Sequence, residues 1–553
     1  MQLFQNRFVR IGIVTLTGII ALIRALMLTG LNHRNANGYD EQMWTSSSIA
    51  SYQMYFKGHI RPTKELDNWW PTYAWVHGID IFTGEKWNQF NPDTIKFPYD
   101  FITLKNASEV VKYDTLKFPR EEFQWYDRAM WTFGWKAPNV GKYIMGWYIN
   151  TFAASKPDPN GYFVFAHPVN HGNVKAKLPN EYKEDEYAPS TLFSSSPFSF
   201  APPEYIRLAR IPNAIFTALI LVLVFVGAWL YINFWTGLIA AAWLLLNQVF
   251  FDVNSAVGLD SFSTFFTTLG IILVVANLNM VRKNKPWWQV ILISLGSATV
   301  IGLAIGSKLN AGVLVFISIA CFVPVGLVLL MQALTKKQPV KTKTQPTAPA
   351  SVSSVLTQQL PKLVVSGIIT GVISITLFIQ LNPQYQGASV KKIKATRESI
   401  DDYFTKRANI LTQNEKRDNP KGYNNWAKLK RDSGMKLNLM LERVAYVKDD
   451  KKNYYGTFGS ILKVPFNFLD GLLALLGLFM LGRLAWIKWK QEKMFHASAM
   501  LLLAFLIVFW GNTDFLWIDW ARYFTPIFPL YSILIAAGLL GVIEWAKAKL
   551  AKK

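Results

Sequence analysis

The sequence predicts an all-α polytopic membrane protein with about 10 transmembrane helices and a large first extracytoplasmic loop carrying interfacial helices. Three observations carry that expectation. Hydrophobic residues make up 51% of the 553 positions and charged residues only 17%. The apolar residues fall in long unbroken blocks, near the roughly 20 residues that a helix needs to cross hydrocarbon. Only a helix or a closed barrel satisfies its backbone there. Finally, much of the Lys/Arg excess behind a net charge of +23 sits in short loops between the blocks. That is a membrane orientation signal, so no nucleic-acid partner is expected.

The blocks run at about 9–30, 211–231, 235–251, 262–281, 288–306, 309–333, 362–381, 464–486, 495–511 and 523–545, of which those ending near 251 and 511 are short. Arg7 and Arg10 precede the first block and no small-residue cleavage pattern follows it, so it reads as a retained anchor. With the N-terminus inside, the cytoplasmic loops hold Arg282, Lys283 and Lys285, then Lys336 and Lys337, then Arg483, Lys488 and Lys490. Lys547 and Lys549 return the C-terminus to the same side. The loop at 382–463 carries 18 Lys/Arg against nine Asp/Glu, yet falls outside; the charge rule weakens for loops beyond about 60 residues.

Three regions follow. Residues 1–333 form a core that includes the outer loop 31–208, and residues 334–361, rich in Pro, Thr and Lys, read as a flexible cytoplasmic linker. Residues 362–553 form a C-terminal membrane region with its own outer loop, 382–463. Cys321, the single cysteine, lies in an apolar block and excludes a disulfide framework or a cysteine-cluster metal site. The first outer loop holds nine of the 21 tryptophans. Aromatic helices on a membrane surface give such a composition, and so does sugar stacking.

Five groups of candidate residues stand at outer block edges. Asp40 and Glu41 open a helical pattern that continues through Trp44, Ile49, Tyr52 and Phe56 and stops at Gly58. Helix capping accounts for acids there, and so does chemistry at a headgroup. Lys136 and Lys142 flank Pro138, which pre-sets the first turn of another interfacial helix; snorkelling also explains such lysines. Asp252 and Asp260 lie in the outer turn FDVNSAVGLDSF. Lys308, in the short turn Gly306–Asn310, violates the positive-inside bias where it is strongest, which implies an anionic partner. Arg522 and Tyr523 mark the outer edge of the last block. No phosphate-cradling glycine loop, HExxH or nucleophile elbow is present, and the six histidines are too scattered to suggest a metal site.

With these residues in place, the chain resembles the GT-C class of membrane glycosyltransferases, in the branch of the protein O-mannosyltransferases and aminoarabinose transferases. The resemblance rests on Asp40-Glu41 in YDEQMW, on Lys136-Ala137-Pro138-Asn139-Val140-Gly141-Lys142 standing for that group's His/Lys-Pro-Pro-Leu motif, and on Asp260 and Lys308 in GLDSFSTFF and GLAIGSKLN. It covers roughly residues 1–330 and fades afterwards. Only one motif proline survives, and about fifty residues (153–205) separate the motif from the second block.

The resemblance implies transfer of one sugar from a polyprenyl-phosphate-sugar donor to a hydroxyl of a protein, glycolipid or polysaccharide. The reaction would occur at the extracytoplasmic face of the plasma membrane, with inversion. Asp40 would act as general base beside Glu41. Lys136, Lys142, Lys308 and Arg522 would meet the donor phosphate, with Asp260, Pro138 and Tyr523 in support. Cationic side chains suffice for such a leaving group, so no metal or other cofactor is required, though a divalent metal remains compatible. The absence of an oligosaccharyltransferase-type C-terminal domain argues against en bloc glycan transfer. The competing class is a non-catalytic membrane protein, a transporter of lipid-linked saccharide or a structural partner. That reading predicts ionisable residues deep in the blocks, where Arg24 is the main candidate.

Overall fold

The computed structural model describes residues 6–31, 39–57, 138–154, 165–166, 198–199, 203–335, 355–382, 468–492, 496–514 and 525–551. Among them are eight helices long and apolar enough to span a membrane, and two shorter apolar helices, Phe234–Leu246 and Ala497–Phe509. These ten fall at the ten expected blocks. The chain is an all-α polytopic membrane protein; the one departure among the described residues is a two-residue antiparallel pair, β1 (Phe165–Ala166) with β2 (Phe198–Ser199).

Helix α1 (Arg7–Leu31) leads to α2 (Tyr39–Tyr52), which continues as a π-helical turn to Lys57, and α3 covers Val140–Phe152. The second block is α4 (Pro203–Tyr231). The third is not one helix: α5 (Phe234–Leu246) stops, and α6 (Gln248–Ser255) restarts after Asn247. Asn247 is extended and accepts a hydrogen bond from the Phe250 N–H, so it caps the new helix. This corrects the expected outer turn: Asp252 lies on α6, and the turn shrinks to residues 256–259. Helices α7 (Asp260–Arg282), α8 (Trp287–Ser307), α9 (Val313–Thr335) and α10 (Leu360–Leu381) follow. A π-helical turn at Val355–Gln359 precedes α10, so the expected linker is already helical over its last residues. The C-terminal helices are α11 (Phe468–Glu492), α12 (Ala497–Asp514) and α13 (Phe528–Leu550).

Small and hydrogen-bonding residues join the helices, as expected where lipid offers no hydrophobic drive between them. Asn277 on α7, Ser294 on α8 and Ser366 on α10 bond to one another at 2.6–3.3 Å. A Cβ on Gly477 would stand 1.9 Å from the Leu534 carbonyl oxygen, so α11 and α13 touch backbone to backbone. These C-terminal helices dock on α5 through Trp243, whose indole N–H donates to buried Asp470 at 3.2 Å and whose ring meets Tyr531.

The two ends of the bundle differ. At one, Arg10 lies 5.2 Å from the Phe234 ring, and Lys362 donates to Asn284 and to the Lys285 carbonyl. At the other meet the end of α1, the starts of α2, α4 and α7, and the ends of α8 and α10. Among the described candidates, Glu41, Asp260 and Lys308 lie there.

Candidate functional site

Helix α2 is serine-rich, and its hydroxyls fold back on the backbone: Thr45 donates to the Glu41 carbonyl at 2.7 Å and Ser48 to that of Trp44 at 2.5 Å. That spends its polarity internally and lets the helix bury. Helix α3 packs closely on it, since a Cβ on Gly146 would stand 2.2 Å from the Ser48 carbonyl oxygen. Asp40 is the second residue of α2.

Glu41, next in line, is buried against Arg210 of α4. The Arg210 Nε donates to Oε1 at 2.8 Å, and Nη2 donates to Oε2. The Val257 backbone N–H donates to Oε1 at 2.9 Å, and Arg210 Nη1 reaches the Thr29 carbonyl at 3.4 Å. One bidentate ion pair therefore ties α1, α2, α4 and the α6–α7 turn together. Glu41, expected beside Asp40 as a reacting carboxylate, holds three N–H donors and is a clamp. A second tie lies one turn along α4, where the Ser261 hydroxyl of α7 donates to Asn213 at 2.6 Å.

Lys308 follows the last residue of α8 in extended backbone and donates to Asp260, the first residue of α7, at 2.5 Å. Both termini favour these charges, a carboxylate at a helix start and an ammonium at a helix end. The anionic partner inferred for Lys308 is thus a protein carboxylate in this structure. The pair keeps partial exposure, 21% for the lysine side chain and 13% for the aspartate.

Pro138 stands ahead of the cap residue Asn139 and not in the first turn of α3, which starts at Val140. The Asn139 N–H donates to the Asn382 side chain at 2.8 Å, and the Tyr143 hydroxyl donates to the Leu381 carbonyl at 2.9 Å. Tyr55, stacked on Tyr143, donates to the Gln380 carbonyl. These bonds anchor α2 and α3 to the end of α10. Burial pushes the Tyr143 phenol up. Lys142 is completely buried, and desolvation pulls its ammonium down to about 7. Among the described residues no three His, Cys, Asp or Glu side chains gather where they could hold a metal.

The structure thus brings Glu41, Pro138, Lys142, Asp260 and Lys308 to one end of the bundle. Lys136, Arg522 and Tyr523 lie outside the described residues. Arg210, Asn213, Ser261 and Asn382 were missed. For Arg210 the sequence offered only a weak signal: like Lys308 it is a cation at the expected outer edge of an apolar block, but it closes a loop long enough to escape the charge bias.

Residues 185–382 match the family described as dolichyl-phosphate-mannose-protein mannosyltransferase. The resemblance to the GT-C class stands. The matched stretch reaches further than the 330 expected from motifs and begins after the first two of them: it contains Arg210, Val257, Asp260, Lys308 and Asn382, but neither Glu41 nor Lys142. No curated protein matches the chain. Among solved structures, the archaeal oligosaccharyltransferase AglB from Archaeoglobus fulgidus, in complex with an inhibitory peptide and a dolichol-phosphate, aligns at 14% identity over 66% of this chain, with a TM-score of 0.31. This chain spans 42% of the length of that protein.

Proposed function

We propose that this GT-C protein transfers one sugar from a polyprenyl-phosphate-sugar donor to an acceptor hydroxyl at the extracytoplasmic membrane face, inverting the anomeric carbon. The observation that carries the reading is the junction of α2 with the mannosyltransferase-matched stretch. The Glu41–Arg210 clamp and the Val257 N–H hold the acid-bearing start of α2 at the bundle end that carries Asp260 and Lys308.

The residues divide the work as follows. The acceptor oxygen attacks the anomeric carbon and gives its proton to the Asp40 carboxylate, which acts as general base. The bond from that carbon to the phosphate oxygen breaks, and the lipid monophosphate leaves with added negative charge. Lys308, steadied by Asp260 and partly exposed, supplies positive charge to that phosphate. Glu41 takes no proton; it fixes α2, and through it Asp40, against α4. Loop charge supports this face, since Arg10 and Lys362 lie at the opposite end of the bundle.

The test is transfer by the purified protein from a panel of labelled polyprenyl-phosphate sugars, the mannose donor first, to peptide and glycolipid acceptors. Asp40→Asn keeps the size of the side chain and loses its basicity, so turnover should fall by about 10²–10⁴-fold while donor binding persists. A variant that keeps more than roughly half of wild-type turnover removes Asp40 as the base.

A further inference from the structure

The third span breaks at Asn247, within the apolar part of the bundle, and a break there strands backbone groups that hydrocarbon cannot satisfy. Two of the carbonyls that end α5, those of Trp243 and Leu244, accept from the Asn247 N–H at 3.1 Å. The next, that of Leu245, accepts from Arg24 Nη1. Arg24 belongs to α1, an otherwise apolar span with only 11% of its most apolar window buried. A charge in such a place is costly and calls for a partner. Its other arm donates to the Gln248 side chain at 2.7 Å, and its guanidinium lies 4.6 Å from the centre of the Phe251 ring. Gln248 in turn donates to Asp252 one turn further, at 2.6 Å. Ala21 and Ala25, fully buried on either side of Arg24, allow α1 to approach closely enough for this.

Arg24 thus grips the end of α5 and the first turns of α6 at once. The far end of α6 leads, through Ala256, to the Val257 N–H that bonds Glu41. We propose that Arg24 is a positioning residue for the transfer reaction: by holding the broken span, it places α6 so that Val257 completes the clamp on Glu41 and steadies the Asp40 end of α2. This rests on the function proposed above. It makes Arg24 part of the same machinery, with no contact to substrate, and not the ion-path residue that a transporter would place in a span.

Two readouts on the full-length protein in nanodiscs test it, one of which needs no activity. In hydrogen exchange, Arg24→Gln should raise exchange in the segment 249–259, leaving α4 and α5 as in wild type. Arg24→Lys, which can reach the Leu245 carbonyl with a single donor group, should restore part of the protection. Arg10→Gln, at the opposite end of α1, should leave that segment unchanged. In transfer assays, Arg24→Gln should lower kcat by roughly tenfold to a hundredfold, the cost of a small misplacement of reacting groups. The donor KM should stay near wild type and Arg24→Lys should recover part of kcat. Unchanged exchange over 249–259, an equal rise throughout α4 and α5, or a loss confined to KM overturns the proposal. If the wild-type protein transfers no sugar, the proposed function fails, and the exchange pattern alone decides whether Arg24 positions α6.

Discussion

Arg210→Met offers the sharpest test of the clamp. Methionine is long and apolar and approximates the arginine stem, so the substitution removes charge and donors while keeping most of the volume. In the wild-type protein the Glu41 carboxylate is 9% exposed and receives three N–H groups, two from Arg210 and one from Val257. In the variant only the Val257 N–H remains, and a buried carboxylate keeps one donor in place of a bidentate cation. Breaking a buried pair from one side costs about 3–5 kcal/mol, because the surviving charge stays buried. A further outcome follows from the same geometry. The double variant Arg210→Met with Glu41→Gln keeps an oxygen for the Val257 N–H and buries no charge, so it should recover most of the loss. The assay is the fraction of monodisperse protein left after graded heating in detergent, for both singles and the double. The reasoning is refuted if Arg210→Met lies within about 1 kcal/mol of wild type, or if the two singles simply add in the double.

Other substitutions probe the rest of the site. Lys308→Ala should slow transfer by about 2–4 kcal/mol in the barrier if the phosphate site excludes water, Lys308→Arg should recover part, and Lys283→Ala should leave kinetics unchanged; equal behaviour of the two alanine variants would leave Lys308 only as the partner of Asp260. Burial lowers the Lys142 pKa from 10.5 to about 7, so between those values the unfolded chain binds a proton that the folded protein does not. Stability should therefore rise with pH across that window, and Lys142→Met should flatten the slope and stabilise the protein below pH 7; a slope that survives the substitution assigns it elsewhere. For the membrane topology, with Cys321 replaced, cysteines at Ser108 and Ser433 should react with an impermeant thiol reagent in intact cells, and one at Thr344 only after permeabilisation. Labelling at Ser108 without Ser433 would put the loop 382–463 on the wrong side.

Much of the fold was legible because its signals are local. Each span is its own run of apolar residues, and a helix in hydrocarbon closes its hydrogen bonds within itself, so the ten blocks in the sequence are matched by ten apolar helices among the described residues. The helix that carries Asp40 in its first turn was readable for the same reason, from spacing and a first-turn acid. The break at Asn247 was not, because a short apolar run interrupted by Asn247 and Gln248 reads alike whether the helix continues or restarts. Lys308 was singled out by a rule of loop charge, and the rule was right that it needs an anion; which anion lay beyond it.

Partner choice belongs to the tertiary structure. Glu41 meets Arg210 across 169 residues and the Val257 N–H across 216, and Lys308 meets Asp260 across 48. Composition and periodicity decide whether a segment crosses the membrane and, with loop charge, which end faces out. They say nothing of the rotation and tilt at which one helix meets another, and a bidentate ion pair depends on both to within a few tenths of an ångström. Glu41 and Asp40 are therefore alike as adjacent acids in the sequence. Packing of α2 against α4 and the α6–α7 turn makes Glu41 a clamp, because burial makes an unpaired carboxylate too costly to leave without its cation.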